Sequence, residues 1–205
     1  MQRSERGDAT RQSLIAHART RFARQGFAAV SLSQIVADAG VTKGALYHHF
    51  ASKSELFEAV LEQVQWEVGE RVAAAAEAVV VPAEGLSERG WLELLAGCEA
   101  FLDVATEEGT RQILLVDGPA VVGWSRWRDL DEVNSARHLE EAVVALHMAG
   151  ALTDVDPRAV TLLLSGALNE AALWIAHSAD RKRDLAAAMT ALTAMLEGVR
   201  RPTAS

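Results

Sequence analysis

Apolar residues recur along this chain at helical spacing, and the pattern changes character in three places. Leu14, Ala18 and Phe22, with Ile15 between them, mark one face of a helix from Thr10 to Gln25, and Gly26 ends it. Ile35, Val36 and Ala39 give a short second face, Leu46 and Phe50 a third. The spacing then lengthens: Phe57, Val60, Leu61, Val64, Val68 and Val72 describe one rod from Ser52, and no proline interrupts it before Pro82. Pro82, Glu84 and Gly85 predict a turn. Beyond it, Trp91, Leu94, Leu95, Cys98, Phe101, Leu102 and Ala105 form an amphipathic helix, with Cys98 as a small buried hydrophobe. A brief apolar segment, Arg111 to Val116, is expected to end at Asp117-Gly118-Pro119. One helix of uncertain start then carries Trp124, Trp127 and Leu130 inward and runs to Gly150, with Asp131, Asn134 and His138 on a separate stripe. Finally, Asp156-Pro157 opens a helix that is apolar nearly all round from Ala159 to Ala176, and Asp184 to Val199 repeats Leu185, Met189, Leu192 and Leu196 like a seam between packed helices.

No strand alternation or internal repeat appears, so the fold class is all-α. The expected division is an N-terminal three-helix domain over residues 1–55 and a larger helical domain over 56–205, with the boundary inside the rod.

Residues 31–57 carry the most specific local chemistry. Ser31 with Gln34 has capping-box spacing, so a helix starts near Leu32, and Gly40 can take the left-handed backbone just past its end. Thr42 caps a second short helix, Lys43 to His49, and Ser52 with Glu55 forms another capping box. Two short helices around a glycine-containing turn are the helix-turn-helix pattern, whose second helix enters the major groove N-terminus first. Thr42, Lys43, Gly44 and Ala45 would then face the bases: the small residues permit close approach, Lys43 can donate to guanine or phosphate, and Ala45 can touch a thymine methyl. Tyr47 and His48, one turn on, suit phosphate oxygens. Ser31, Gln34 and Lys53 lie at helix starts and suit positioning contacts.

This stretch resembles the DNA-binding domain of the TetR family of transcriptional regulators. The resemblance rests on V41-T42-K43-G44-A45-L46-Y47-H48-H49-F50 followed by S52-K53-S54-E55-L56-F57, and on the first helix ending at Gly26-Phe27. Ala51 departs from it, since many members carry proline or another turn residue there. The resemblance implies a helical body that dimerises through its C-terminal helices and holds a pocket for a small molecule. Occupancy of that pocket decides whether the two heads fit a palindromic operator, the usual sense being repression.

Charge agrees with this division once it is read by region. The chain of 205 residues carries a formal charge of −8. Residues 1–55 hold eight Lys/Arg against four Asp/Glu, giving +4 there and −12 for the rest. Ordinary solvated surface would give the same balance without the motif. Arg3 and Arg6 are expected in a polar arm ahead of the first helix, either reaching a minor groove or only adding attraction to phosphate. The single cysteine excludes an intramolecular disulfide, and with no charged-then-apolar leader and no convincing membrane span the expectation is a cytoplasmic protein.

Zincin, metal-ligand and G-x-S-x-G spacings are missing, so neither an enzyme nor a cofactor is expected. Candidate ligand-binding residues are Trp91, Trp124, Trp127 and Trp174, with Arg111, Asp117, Asn134, His138, Asn169 and Glu170 as polar groups. Each tryptophan also reads as core, Arg111 as half of an ion pair, and Asn169 and Glu170 as partners across a dimer seam, within the core or on a ligand. The two C-terminal helices predict a homodimer through a four-helix bundle, the alternative being the core of a monomer. A regulator that uses no small ligand and answers to a partner protein, or acts architecturally, is the second functional expectation.

Overall fold

The structure is a computed structural model describing residues 2–80 and 86–202, with side chains for 7–80 and 88–202. The predicted turn at Pro82, Glu84 and Gly85 lies outside the described residues. The described secondary structure is helical apart from one isolated antiparallel bridge between Leu152 and Arg200. The helices are α1 Gln2–Ala29, α2 Leu32–Asp38, α3 Lys43–His49, α4 Lys53–Glu77, α5 Leu86–Ala105, α6 Glu108–Arg111, a π-helical turn Gln112–Asp117, α7 Gly118–Val122, α8 Trp124–Glu132, α9 Ser135–Met148, α10 Pro157–Ala176 and α11 Arg181–Glu197. They make two compact units, residues 1–65 with 108–130 and residues 66–107 with 131–205.

In the first unit, α1 carries Leu14, Ala18 and Phe22 on a fully buried face, and Gly26 breaks its helical path at φ 75°, ψ 160°. Helix α1 starts at Gln2, which corrects the expected arm: Arg3 and Arg6 are helical, because residues 2–9 contain no proline and are rich in good helix formers. After the break, the Phe27 amide donates to Asp117 Oδ2 at 2.7 Å, so the segment before α7 satisfies the backbone that the glycine frees. Phe22, Phe27 and Phe57 close the core with ring centroids 5.2–5.7 Å apart.

The expected stop at Asp117-Gly118-Pro119 does not occur. A π-helical turn feeds directly into α7, where Pro119 sits in the first turn, the one place in a helix that needs no amide from it. Gly118 is buried there, and a β-carbon on it would come within 2.9 Å of the Trp127 ring. Trp127 is itself fixed by its indole N–H donating to Leu114 O at 2.8 Å. Trp124 departs from expectation: it stacks on Trp127 at 5.1 Å but leaves 64% of its surface exposed.

The second unit packs α5, α9, α10 and α11 together with the C-terminal half of α4. The single helix expected to reach Gly150 is in fact broken between α8 and α9, at Asn134 with φ −120°, ψ −108°. Val133-Asn134-Ser135 is a run of weak helix formers, and the Ser135 hydroxyl donates back to Asp131 Oδ1 at 2.6 Å, a local bond that competes with the helix. Gly150 at φ 71° ends α9, and Asp156 caps α10 by accepting from Arg158 N at 2.9 Å.

Helix α10 is long and apolar enough to cross a membrane by length and composition, but 44% of its most apolar window is buried inside the unit. One stripe is bare: Leu162 and Leu163 are 49% and 76% exposed, Trp174 is 49% exposed, and Ala159, Gly166 and Glu170 lie along the same stripe. On α11 the predicted seam is divided: Leu192 and Leu196 are buried within the unit and Leu185 and Met189 are half-buried, while Ala187, Ala191, Ala194 and Met195 are exposed.

Candidate nucleic-acid interface and effector cavity

The helix-turn-helix is built as its caps dictate. Ser31 Oγ accepts from Gln34 N, and the Gln34 side-chain oxygen accepts from Ser31 N at 2.8 Å, so both halves of the capping box are made. Gly40 takes φ 64°, and α3 opens with Thr42 Oγ1 accepting from Ala45 N at 3.1 Å. Leu46 and Phe50 anchor α3 inward. Thr42, Lys43, Gly44, Tyr47 and His48 are exposed and Ala45 half-buried, so one face of α3 is free along its length. The second capping box is modified: Ser52 Oγ accepts from Glu55 N at 3.1 Å, but the Glu55 carboxylate reaches the Ala51 amide, one residue earlier than expected.

Lys53 has a second occupation that spacing did not disclose. Its ammonium donates to the carbonyls of Phe27 at 2.8 Å and Val30 at 2.9 Å and lies 4.1 Å from the Phe27 ring centroid. Of its three N–H donors, one is left for a phosphate. Arg21, similarly unforeseen, clamps Asp38 with the Nε and Nη2 donors of one guanidinium edge and holds that carboxyl below its usual range. Partners this far apart in the chain leave no periodic signal. Arg126 pairs with Glu58 at 2.6 Å and Glu62 at 3.2 Å, fastening the start of α8 to α4 within the same unit.

The second unit contains a cavity of about 220 Å³. Helix α4 supplies Val72, Ala76 and Glu77, α5 supplies Glu93, Cys98 and Phe101, α8 and α9 supply Asp131, Ser135 and His138, and α10 supplies Ser165 and Leu168. Of the ten candidate ligand residues only His138 lines it. Arg111, Asp117, Trp124 and Trp127 belong to the first unit, where Asp117 and Trp127 are committed to backbone groups. Trp91 is buried beneath the Arg200 guanidinium at 4.7 Å, and Trp174 and Glu170 lie on the bare face of α10. Asn134 sits at the α8–α9 break and Asn169 is half-buried on α10, neither on the cavity wall. Large rings fill space, and the room here is left by small ones, Ala73, Gly97 and Ala142 among them. Small residues on facing apolar stripes were the available signal.

Cys98 is on the cavity wall yet 2% exposed, and burial pushes its thiol up to about 12. The thiolate is the reactive form, so iodoacetamide at pH 8 should alkylate the folded protein on the order of 10³-fold more slowly than the urea-unfolded chain. Comparable rates by mass spectrometry would mean that Cys98 is open to solvent.

Comparison with known proteins agrees with both halves. Residues 14–60 match the family profile described as "Bacterial regulatory proteins, tetR family", and residues 91–199 match "Tetracyclin repressor-like, C-terminal domain". The Transposon Tn10 TetC protein of Escherichia coli is 27% identical over 176 residues, 86% of this chain and 81% of that protein. The HTH-type transcriptional regulator AcrR of Shigella flexneri is 43% identical over 61 residues, 30% of this chain and 28% of that one. A crystal structure of a TetR-family transcriptional regulator from Pectobacterium atrosepticum superposes with a TM-score of 0.78 at 33% identity, covering 97% of this chain and 98% of the other. With a capped helix-turn-helix in one unit, a hollow helical body in the other, and matches that span both, this chain belongs to the TetR family of helix-turn-helix transcriptional regulators.

Proposed function

We propose that this regulator is a homodimeric, cytoplasmic repressor that a small organic effector releases from a palindromic operator. Residues 1–55 read DNA through Thr42, Lys43, Gly44, Ala45, Tyr47 and His48, with Ser31, Gln34 and Lys53 as positioning groups at helix starts. Residues 56–205 hold the effector and the dimer seam. Recognition helices of the two protomers meet successive major grooves about 34–36 Å apart.

The observation that carries the effector is the cavity of about 220 Å³ with a wall formed by α4. Helix α4 runs for 25 residues from Lys53, beside the reading helix in sequence, to Glu77 on that wall. An effector that prefers a different setting of Val72, Ala76 and Glu77 acts on the same helix that follows α3. Inverting a 1:99 population of the DNA-binding form takes about 5.5 kcal/mol of differential affinity. Regulation by a partner protein alone has no use for such a hollow, which favours the ligand.

Selection of bound sequences from random duplex DNA tests this reading. The expected product is a palindrome bound at least about 10³-fold more tightly than random DNA at the same salt, from which an effector screen then displaces the protein. Uniform, steeply salt-dependent binding to every duplex would overturn it.

A further inference from the structure

Resting on the cavity as the effector site, we propose that its ligand is an uncharged, mainly apolar small molecule built on about one ring. The wall is chiefly hydrocarbon, with Val72, Leu94, Phe101 and Leu168 contributed by three different helices. The ionisable groups on it are already matched within the protein or by water. Asp131, 5% exposed, accepts from the Ser135 hydroxyl at 2.6 Å and has a further interaction beyond that bond. Arg89 pairs with Glu93 at 2.7 Å, and the Glu141 carboxylate lies 3.6 Å from His138 Nδ1. Glu77 is exposed, so water solvates its carboxylate. Cys98, deep in the wall, is held by burial as a neutral thiol.

That balance decides the charge of the occupant. An ion entering the cavity leaves its hydration shell, and burying a charge is favourable only where an opposite charge and hydrogen bonds replace the water. A cation would have to draw Asp131 or Glu93 away from groups that already hold them. An anion meets neither Lys nor Arg among the described lining residues and faces the same carboxylates. A neutral molecule avoids that cost, and its apolar surface gains by leaving water for the hydrocarbon wall. It can still carry one polar group. A hydroxyl has one donor and two acceptor sites, so Ser165 on the wall can serve a ligand besides its own partner. Size sets the rest: an apolar cavity of about 150 Å³ admits benzene, so this one of about 220 Å³ suits one ring with a short side chain.

Isothermal titration of the full-length protein with three matched probes tests the proposal: 2-phenylethanol, 2-phenylethylammonium and 3-phenylpropanoate. The alcohol should bind at least about tenfold more tightly than either ion. Ala142→Phe, which fills the space that the small residue leaves, should weaken the alcohol by about tenfold or more. Gly97→Leu gives the same readout if that variant fails to fold: among the described residues outside its own helix backbone, a β-carbon there makes only ordinary contact, with Val72 Cγ1 at 3.5 Å. Equal binding of the three, or preference for either ion, overturns the assignment of an uncharged ligand while the cavity stands as a binding site. Alcohol binding that survives unchanged in both folded variants lies elsewhere and overturns the assignment to this cavity. No binding of any probe at millimolar concentration overturns both the ligand class and the cavity as effector site.

Discussion

Gly44→Glu should abolish operator recognition, raising Kd on the order of 10³-fold, without lowering the melting temperature. Gly44 is exposed in the first turn of α3, and among the described residues outside its own helix backbone a β-carbon there would meet only Thr42 Oγ1, at 3.9 Å. The fold therefore has room for the side chain. Glutamate is also a better helix former than glycine by close to 1 kcal/mol, and a carboxylate in the first turn suits the helix dipole. DNA is where the cost falls. A bare backbone at this position lets α3 approach the base edges, whereas a carboxylate holds it off and repels the phosphates. Each disrupted base contact is worth about 1–3 kcal/mol, and the dimer presents the lesion twice, so a loss of about 4 kcal/mol is expected. Fluorescence anisotropy on the selected operator and a circular-dichroism melt together decide it. Affinity within about threefold of the parent would remove α3 from the major groove.

Much of the reading head was legible because its signals are local. A cap residue and its amide partner lie within one turn, so Ser31, Gln34 and Thr42 announce helix starts that the structure realises at Leu32 and Lys43. Gly26 and Gly40 sit where the backbone turns left-handed, and glycine adopts that conformation without strain. The same local reasoning misjudged Gly118-Pro119, which looks like a terminator. Its missing amide is harmless in a first turn, and whether the preceding helix continues depends on Trp127 and Leu114 packing there. It also misjudged Asn134, whose helix break is stabilised by Ser135 and Asp131 rather than by a cap of its own.

The cavity was far less legible, and the reason is physical. Hydrophobic spacing marks which side of a helix turns inward, but not where several such sides fail to fill the space between them. Trp91 and Trp127 were attractive as aromatic lining, yet each completes packing elsewhere, one beneath Arg200 and one against Gly118. Asp131 and His138 were seen to share a stripe with Asn134. The structure keeps those two on the cavity wall and takes Asn134 out, because the helix breaks between them. Glu77, Glu93 and Ser165 carried no motif at all, and only the packing of α4, α5 and α10 around the cavity brings them onto one wall.

Gly166→Arg should convert the protein to a folded monomer and weaken binding to the full operator by on the order of 100-fold or more, while half-site binding changes little. The bare stripe of α10, Leu162, Leu163, Gly166 and Trp174, combines large apolar groups with a gap, and α11 adds exposed Ala187, Ala191 and Met195. Leaving such surface in water is unfavourable, and in the proposed homodimer a second copy of the same stripe would bury it symmetrically, with small residues letting the helices approach. Among the described residues, and apart from its own stretch of helix backbone, nothing lies within 4 Å of a β-carbon on Gly166, so arginine adds helix propensity and no internal clash. Across a two-fold axis the substitution sets arginine near arginine in a desolvated seam, which costs several kcal/mol. Light scattering reads the mass, and paired titrations on whole and half operators read the consequence: joining two heads raises affinity by about 10²–10⁴ through effective concentration alone. A variant that stayed dimeric would place the seam elsewhere. A monomer that held the full operator as tightly as the parent would show that α3 does not depend on a second copy.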